Sequence, residues 1–117
     1  MIRIGEAPYL ECSSKGDRRF SAFYAKVNGR SIESVYQAAK VFSDGSTGLS
    51  WQEAKKRGAP INTHHLAILY KNLWRIYLEN NRSFITILKK ASGLSDVFGQ
   101  EGHQCQAITL WELREEL

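Results

Sequence analysis

A carboxylate, an amide and an amine stand in helical register in the stretch Ser31-Ile32-Glu33-Ser34-Val35-Tyr36-Gln37-Ala38-Ala39-Lys40. At about 100° per residue, Glu33, Gln37 and Lys40 fall in one stripe with Tyr36 at its border. Ile32, Val35, Ala39 and Phe42 form the opposite, core-facing stripe. Such a line can hold and hydrolyse a polar substrate. The carboxylate moves a proton or steadies a positive charge, and the amide hydrogen-bonds a polar substrate. The amine binds phosphate or, with a lowered pKa, attacks a carbonyl as a Schiff-base nucleophile. The same line is also the pattern of a wet surface, with Glu33 favoured near the helix start by the macrodipole. A second acid, Asp96, stands in the glycine-rich segment 93–102, Gly-Leu-Ser-Asp-Val-Phe-Gly-Gln-Glu-Gly. Glycines ahead of a helix let backbone N–H groups approach phosphate, or they simply turn the chain while Asp96 caps the turn. Phe98 is then an aromatic wall or a plug under that loop. Arg19, Lys55 and Arg57 are candidate phosphate contacts, with solvated charge as the plainer reading.

The elements that must position these groups follow from the pattern of the chain. Pro8 to Glu11 and Phe20 to Val27 read as short strands. Asn28-Gly29 favours a tight turn, because both residues tolerate positive φ. Ser31 caps a helix over roughly 31–43. Ser50-Trp51-Gln52-Glu53 is a capping box for a short helix ending near Gly58-Ala59-Pro60. Asn62 or Thr63 caps the longest helix, about 63–80, whose apolar face carries Leu66, Leu69, Tyr70, Leu73, Trp74 and Tyr77. A helix over 83–91 buries Phe84, Ile87 and Leu88. After a glycine-rich loop from Ser92 to Gly102, a last helix over about 104–115 buries Ile108 and Trp111, with Leu110 or Leu113 beside them. The expected architecture is a single α+β domain, mostly helical, with short N-terminal strands.

Composition narrows the function classes. The chain has 117 residues, 43% of them hydrophobic, which suits one domain with a real core. Met1 is followed by Ile-Arg-Ile-Gly-Glu, with charges where a secretory signal would be apolar. No apolar run is long enough to span a bilayer, so no membrane partner is expected. Cys12 and Cys105 make no disulfide framework, and the expected location is the cytoplasm. The net charge of +4 permits an anionic partner such as a phosphorylated metabolite, a nucleotide or a nucleic acid. His64 and His65 are neighbours and point apart on a helix. His103, Cys105 and Cys12 lack a fourth ligand at proper spacing, so neither a metal nor another cofactor is expected. Oligomeric state is not encoded in any of these features.

Several motifs together resemble one family. Phe20-Ser21-Ala22-Phe23-Tyr24 followed by Ser31-Ile32-Glu33-Ser34-Val35-Tyr36-Gln37-Ala38-Ala39-Lys40 is similar to the paired opening motifs of the NADAR family, the YbiA-like N-glycosidases. Asp96-Val97-Phe98-Gly99, Gly102-His103-Gln104 and Leu110-Trp111-Glu112-Leu113-Arg114 are similar to its closing pattern. The resemblance spans most of the chain, with the middle matching mainly in helical outline. Ala22 stands where the family has asparagine, Ser34 where it has histidine, Phe98 where it has tryptophan and Gln104 where it has asparagine. The chain thus looks like a divergent, short member.

The resemblance implies a YbiA-like α+β fold over residues 1–117. It implies an N-glycosidase that hydrolyses the N-glycosidic bond of a phosphorylated ribose or ADP-ribose adduct with water and no cofactor. Glu33, Asp96 and Lys40 would be the catalytic residues, with acid and base left unassigned between the two carboxylates. Phe23, Tyr24, Tyr36, Gln37, Phe98, Gly99, Gln104 and Arg19 would bind substrate, and ADP-ribosylated nucleic acid is among the implied partners. Two other classes stay open. The departures at Ala22, Phe98 and Gln104 fit a catalytically inactive module that binds ADP-ribose or an NAD-derived nucleotide. The positive charge fits a small basic phage or accessory protein that binds nucleic acid or a host protein.

Overall fold

Turn chemistry in the first thirty residues decides how the chain enters its first helix. The computed structural model describes residues 1–100 and 104–117. Strand β1 (Ile2–Gly5), which the sequence pattern does not announce, and strand β2 (Tyr9–Glu11) come first, followed by a 3-10 turn over Arg18–Phe20. The Asp17 carboxylate caps that turn, accepting from the Arg19 N–H at 3.0 Å. The Ser21 carbonyl then accepts from the N–H groups of Tyr24 and Ala25, at 3.0 and 2.8 Å. These turns replace the strand expected over 20–27. Phe20, Ser21, Ala22 and Ala25 are buried while Phe23 and Tyr24 are exposed, a pattern without the alternation of a strand. Strand remains only at β3 (Lys26–Val27), which pairs with β4 (Arg30–Ser31) across the Asn28-Gly29 turn. Asn28 and Gly29 take φ values of 52° and 80°, as a type I′ hairpin turn requires.

Ser31 caps helix α1 (Ile32–Ala39), its hydroxyl accepting from the Ser34 N–H at 3.1 Å. The helix stops at Ala39 rather than near 43, and Asn62 is the reason. Its side-chain amide accepts from the Val41 N–H and donates to the Ala39 carbonyl, each at 3.0 Å. Those backbone groups are therefore satisfied without another helical turn. Asn62 makes no side-chain cap bond to the long helix that follows it.

Helix α2 (Trp51–Ala54) is a single turn capped by the Ser50 hydroxyl, which accepts from the Glu53 N–H at 3.3 Å. Helices α3 (Thr63–Glu79) and α4 (Arg82–Lys90) lie within a residue of their expected ranges. Along α3, Leu66, Tyr70, Leu73, Trp74 and Tyr77 are buried. Strand β5 (Gly93–Asp96) and helix α5 (Gln106–Glu116) complete the chain. Arg114 of α5 donates to the carbonyls of Leu88, Lys89 and Ala91 and so closes the end of α4. The expected buried face of α5 is corrected in part. Ile108 is 36% exposed and Trp111 half-buried, while Ala107, Leu110 and Leu113 are inside. The helix touches β1, β5, α3 and α4, so its buried positions wrap around it rather than forming one stripe.

The largest departure from expectation is β5, which lies in the segment read as a glycine loop. It is the central strand of a three-stranded sheet in the order β1-β5-β2. It runs antiparallel to β1, with Ile2 opposite Asp96, and parallel to β2, with Leu10 opposite Leu94. Glycine and aspartate are poor strand formers, and the segment is a strand because the first eleven residues supply a partner on each side. Gly93 is required by packing, since a Cβ there would meet the Glu6 carbonyl oxygen at 2.5 Å. With Gly93–Asp96 buried inside the sheet, this stretch is not the open phosphate cradle expected of a glycine loop. The whole is one α+β domain, its core built on Phe20, Ile32, Trp74, Leu78, Leu88, Leu94, Leu110 and Leu113. Among the described residues no helix is long and apolar enough to cross a membrane.

Candidate functional site

The two acids singled out in the sequence are joined through the backbone of Ala22. The Ala22 carbonyl accepts from the Glu33 N–H at 3.0 Å. The Ala22 N–H donates to Oε1 of Gln106 at 2.8 Å, and Nε2 of Gln106 donates to Oδ2 of Asp96 at 2.9 Å. The start of α1, the end of β5 and the start of α5 are thereby locked in one hydrogen-bonded chain. Gln106 is buried, so each of its bonds replaces one that water would otherwise make.

Asp96 is 4% exposed. Its Oδ1 accepts from the Phe98 N–H at 3.1 Å, and Oδ2 also receives the Cys105 thiol at 3.5 Å. Glu11 braces the backbone on either side of it. The Glu11 carboxylate accepts from the Ser95 hydroxyl at 2.8 Å, the Val97 N–H at 3.1 Å and the Ser13 N–H at 3.0 Å. Burial pushes the Glu11 carboxyl up, but the donors from Ser13, Val97 and Ser95 outweigh it and leave its pKa below the usual value.

Glu33 is held differently. Its Oε1 accepts from Nε2 of Gln37 at 2.7 Å, one turn along α1. Burial raises its pKa against the opposing pull of the Gln37 bond and the Lys40 charge, and the Asp96 charge adds to the rise. Burial also lowers the pKa of Lys40, which the charge of Glu33 partly restores. Lys40 lies just past the helix end that Asn62 fixes, with its ammonium 5.2 Å from the centre of the Tyr36 ring. Tyr36 in turn meets Tyr70 edge-on, the centroids 5.2 Å apart.

Glu33 and Asp96 line the same cavity, of about 540 Å³. Tyr36, Gln37, Lys40 and Tyr70 line it with them, and Phe23, Trp51 and Phe98 are exposed around it. Gly99 and Gln104 also border it. Gly99 sits where a Cβ would meet Cγ1 of Ile2 at 2.6 Å, and its N–H donates to the Asp96 carbonyl at 3.0 Å, a tight turn next to Phe98. A second chamber of about 550 Å³ continues past Lys40 and Lys55 to Arg57 and an apolar wall of Ala54, Pro60 and Leu66. A third, of about 480 Å³, leads past Glu33 to Arg30, Ser34 and Leu49.

Two expected substrate contacts do not line the cavity. Arg19 is paired with Asp17 at 2.6 Å and lies over the rings of Phe20 and Phe84. Its place follows from the 3-10 turn that Asp17 caps. Tyr24 points elsewhere from Phe23 because the chain turns there, and the Arg18 guanidinium lies 4.5 Å from its ring. Gly102 and His103 of the closing motif lie outside the described residues. Gln106, Tyr70 and Ser14 join the site without having been expected there. Nothing in the sequence singles out Gln106; its role exists only once α5 is placed against β5. Burial raises both thiol pKa values, of Cys12 and of Cys105, so neither is an activated nucleophile. Among the described residues no group of three His, Cys, Asp or Glu side chains could hold a metal ion.

Comparison of the chain with protein-family models and with curated proteins finds no match.

Proposed function

We propose that the chain is an N-glycosidase, a divergent short relative of the NADAR (YbiA-like) proteins, acting on a phosphorylated ribose or ADP-ribose adduct of a nitrogen base. The observation that carries this reading is the shared cavity of Glu33 and Asp96 beside Lys40. Glu33 is the reacting acid: burial raises its pKa above the ordinary carboxyl value, the direction a proton donor to the leaving nitrogen needs. As the C1′–N bond breaks, the sugar gains positive charge and the base departs with the proton from Glu33. Water then adds to C1′ and returns a proton to the Glu33 carboxylate. Asp96, fixed by Gln106 and the Phe98 N–H, lends its charge and holds the floor of the site. Gln37 orients Glu33, and Lys40 binds phosphate. The free, buried cysteines support a cytoplasmic location.

The test is to offer ribosylamino-pyrimidine phosphates and ADP-ribosylated nucleobases and to measure freed base by chromatography. Release that depends on Glu33 supports the hydrolase. One observation favours a second reading, a silent nucleotide-binding module: donors occupy both oxygens of Asp96. Saturable heat of binding with no product over hours supports that module instead.

A further inference from the structure

Exposed rings and cations stand together around the three chambers. Phe98 is 57% exposed, Phe23 48% and Trp51 44%, although rings of this size are usually covered. The Lys15 ammonium lies 5.4 Å from the centre of the Phe98 ring, and that of Lys55 4.4 Å from the Trp51 ring. Arg30 lines one chamber with Phe23 and Trp51. Among the described residues Lys15, Lys40, Lys55 and Arg30 have no carboxylate within ion-pair distance, whereas Glu112, Glu115 and Glu116 on α5 are each paired. Among the described residues Glu33 and Asp96 are also the only acids lining any of the three chambers. Among the described residues the lining of the chambers is thus acidic only at Glu33 and Asp96 and otherwise carries cations and exposed rings.

We infer that this rim binds a single-stranded polynucleotide, with bases stacked on Phe23, Trp51 and Phe98 and phosphates held by Lys15, Arg30, Lys40 and Lys55. Ring faces take bases of any sequence, and the ammonium groups beside the Trp51 and Phe98 rings meet the phosphates of nucleotides stacked there. A duplex presents its bases paired and stacked on one another, so it offers nothing to these rings. This binding does not depend on hydrolysis; it adds that the base brought to Glu33 can belong to a strand.

The experiment is fluorescence anisotropy with a labelled DNA or RNA strand of about twelve bases, a length within known single-strand site sizes. Its arms are the matching duplex and heparin as a competitor. The strand should bind at least tenfold more tightly than the duplex. Raising salt from about 50 to about 200 mM should weaken it about twentyfold to fiftyfold, as three or four phosphate contacts require. Trp51→Ala and Phe98→Ala, both at exposed positions, should each weaken binding about fivefold or more. Lys89→Ala at the end of α4 should leave it unchanged. Equal affinity for strand and duplex, displacement by heparin with no effect of the ring substitutions, or no binding at low salt would overturn the inference. Strand binding that persists in Glu33→Gln, or in a wild type that releases no base, supports the rim whatever becomes of the hydrolase.

Discussion

Replacing Gln106 by leucine removes the link between the two halves of the site while keeping the side chain's approximate volume. The Ala22 N–H and Oδ2 of Asp96 each lose a buried partner. An unpaired buried N–H costs about 1–3 kcal/mol, and Oδ2, which keeps the Cys105 thiol, loses a bond to a charged group worth about 1.5–3, so the two together cost about 2.5–6. Leucine at a site 7% exposed recovers about 1–2 kcal/mol by burial. The net loss is therefore about 0.5–5 kcal/mol, which for a chain of this size lowers Tm by about 4 °C for each kcal/mol. Urea unfolding gives the stability directly, with exposed Gln52→Leu on α2 as the control expected to change it by less than about 0.5 kcal/mol. Below its melting point the Gln106→Leu protein should also release base at least about tenfold more slowly, since Ala22 no longer holds Glu33 in register with Asp96. Gln106→Glu adds the pH readout: a carboxylate facing Asp96 should hurt stability more at neutral pH than in acid. A Gln106→Leu protein as stable and as active as wild type would refute the coupling.

Two further substitutions probe the same geometry. The folded-state pKa of Glu33 lies above its ordinary 4.5, so the folded protein keeps a proton that the unfolded chain releases, and stability falls as pH rises through that window. Glu33→Gln should therefore be more stable than wild type at neutral pH, with the gain vanishing below about pH 4 in urea titrations, and a destabilised variant at pH 7 would contradict the burial argument. Asn62→Ala removes both bonds to the end of α1 and should cost about 1–3 kcal/mol. By releasing Lys40 it should raise KM more than it lowers kcat, which steady-state kinetics on a phosphorylated substrate would show.

Local chemistry was readable in this sequence and tertiary chemistry was not. Asn28-Gly29, Ser31 and Ser50 act through neighbours within a few residues, so their turn and caps follow from residue type alone. The periodic apolar faces placed α3 and α4 to within a residue for the same reason. Strand β5 is different. Gly-Leu-Ser-Asp has little strand propensity of its own and pairs only because β1 and β2 arrive from the far end of the chain. The end of α1 likewise depends on Asn62, over twenty residues away. In the site, the stripe of Glu33, Gln37 and Lys40 could be read from helical spacing. That Asp96 lines the same cavity could not be, since no periodicity links a helix to a segment so distant. Gln37 illustrates the limit well: it belongs to the polar stripe, yet it is buried because the stripe lines a cavity rather than an open surface.

The central claim is that Glu33 gives up its proton to a departing base inside this cavity. Single-turnover release of base from a ribosyl phosphate adduct, with wild type and a folded Glu33→Gln protein compared at saturating substrate, tests it most directly. Loss of a positioned proton donor should slow release by about 10²–10⁴-fold while substrate still binds. Equal rates in the two proteins would contradict it.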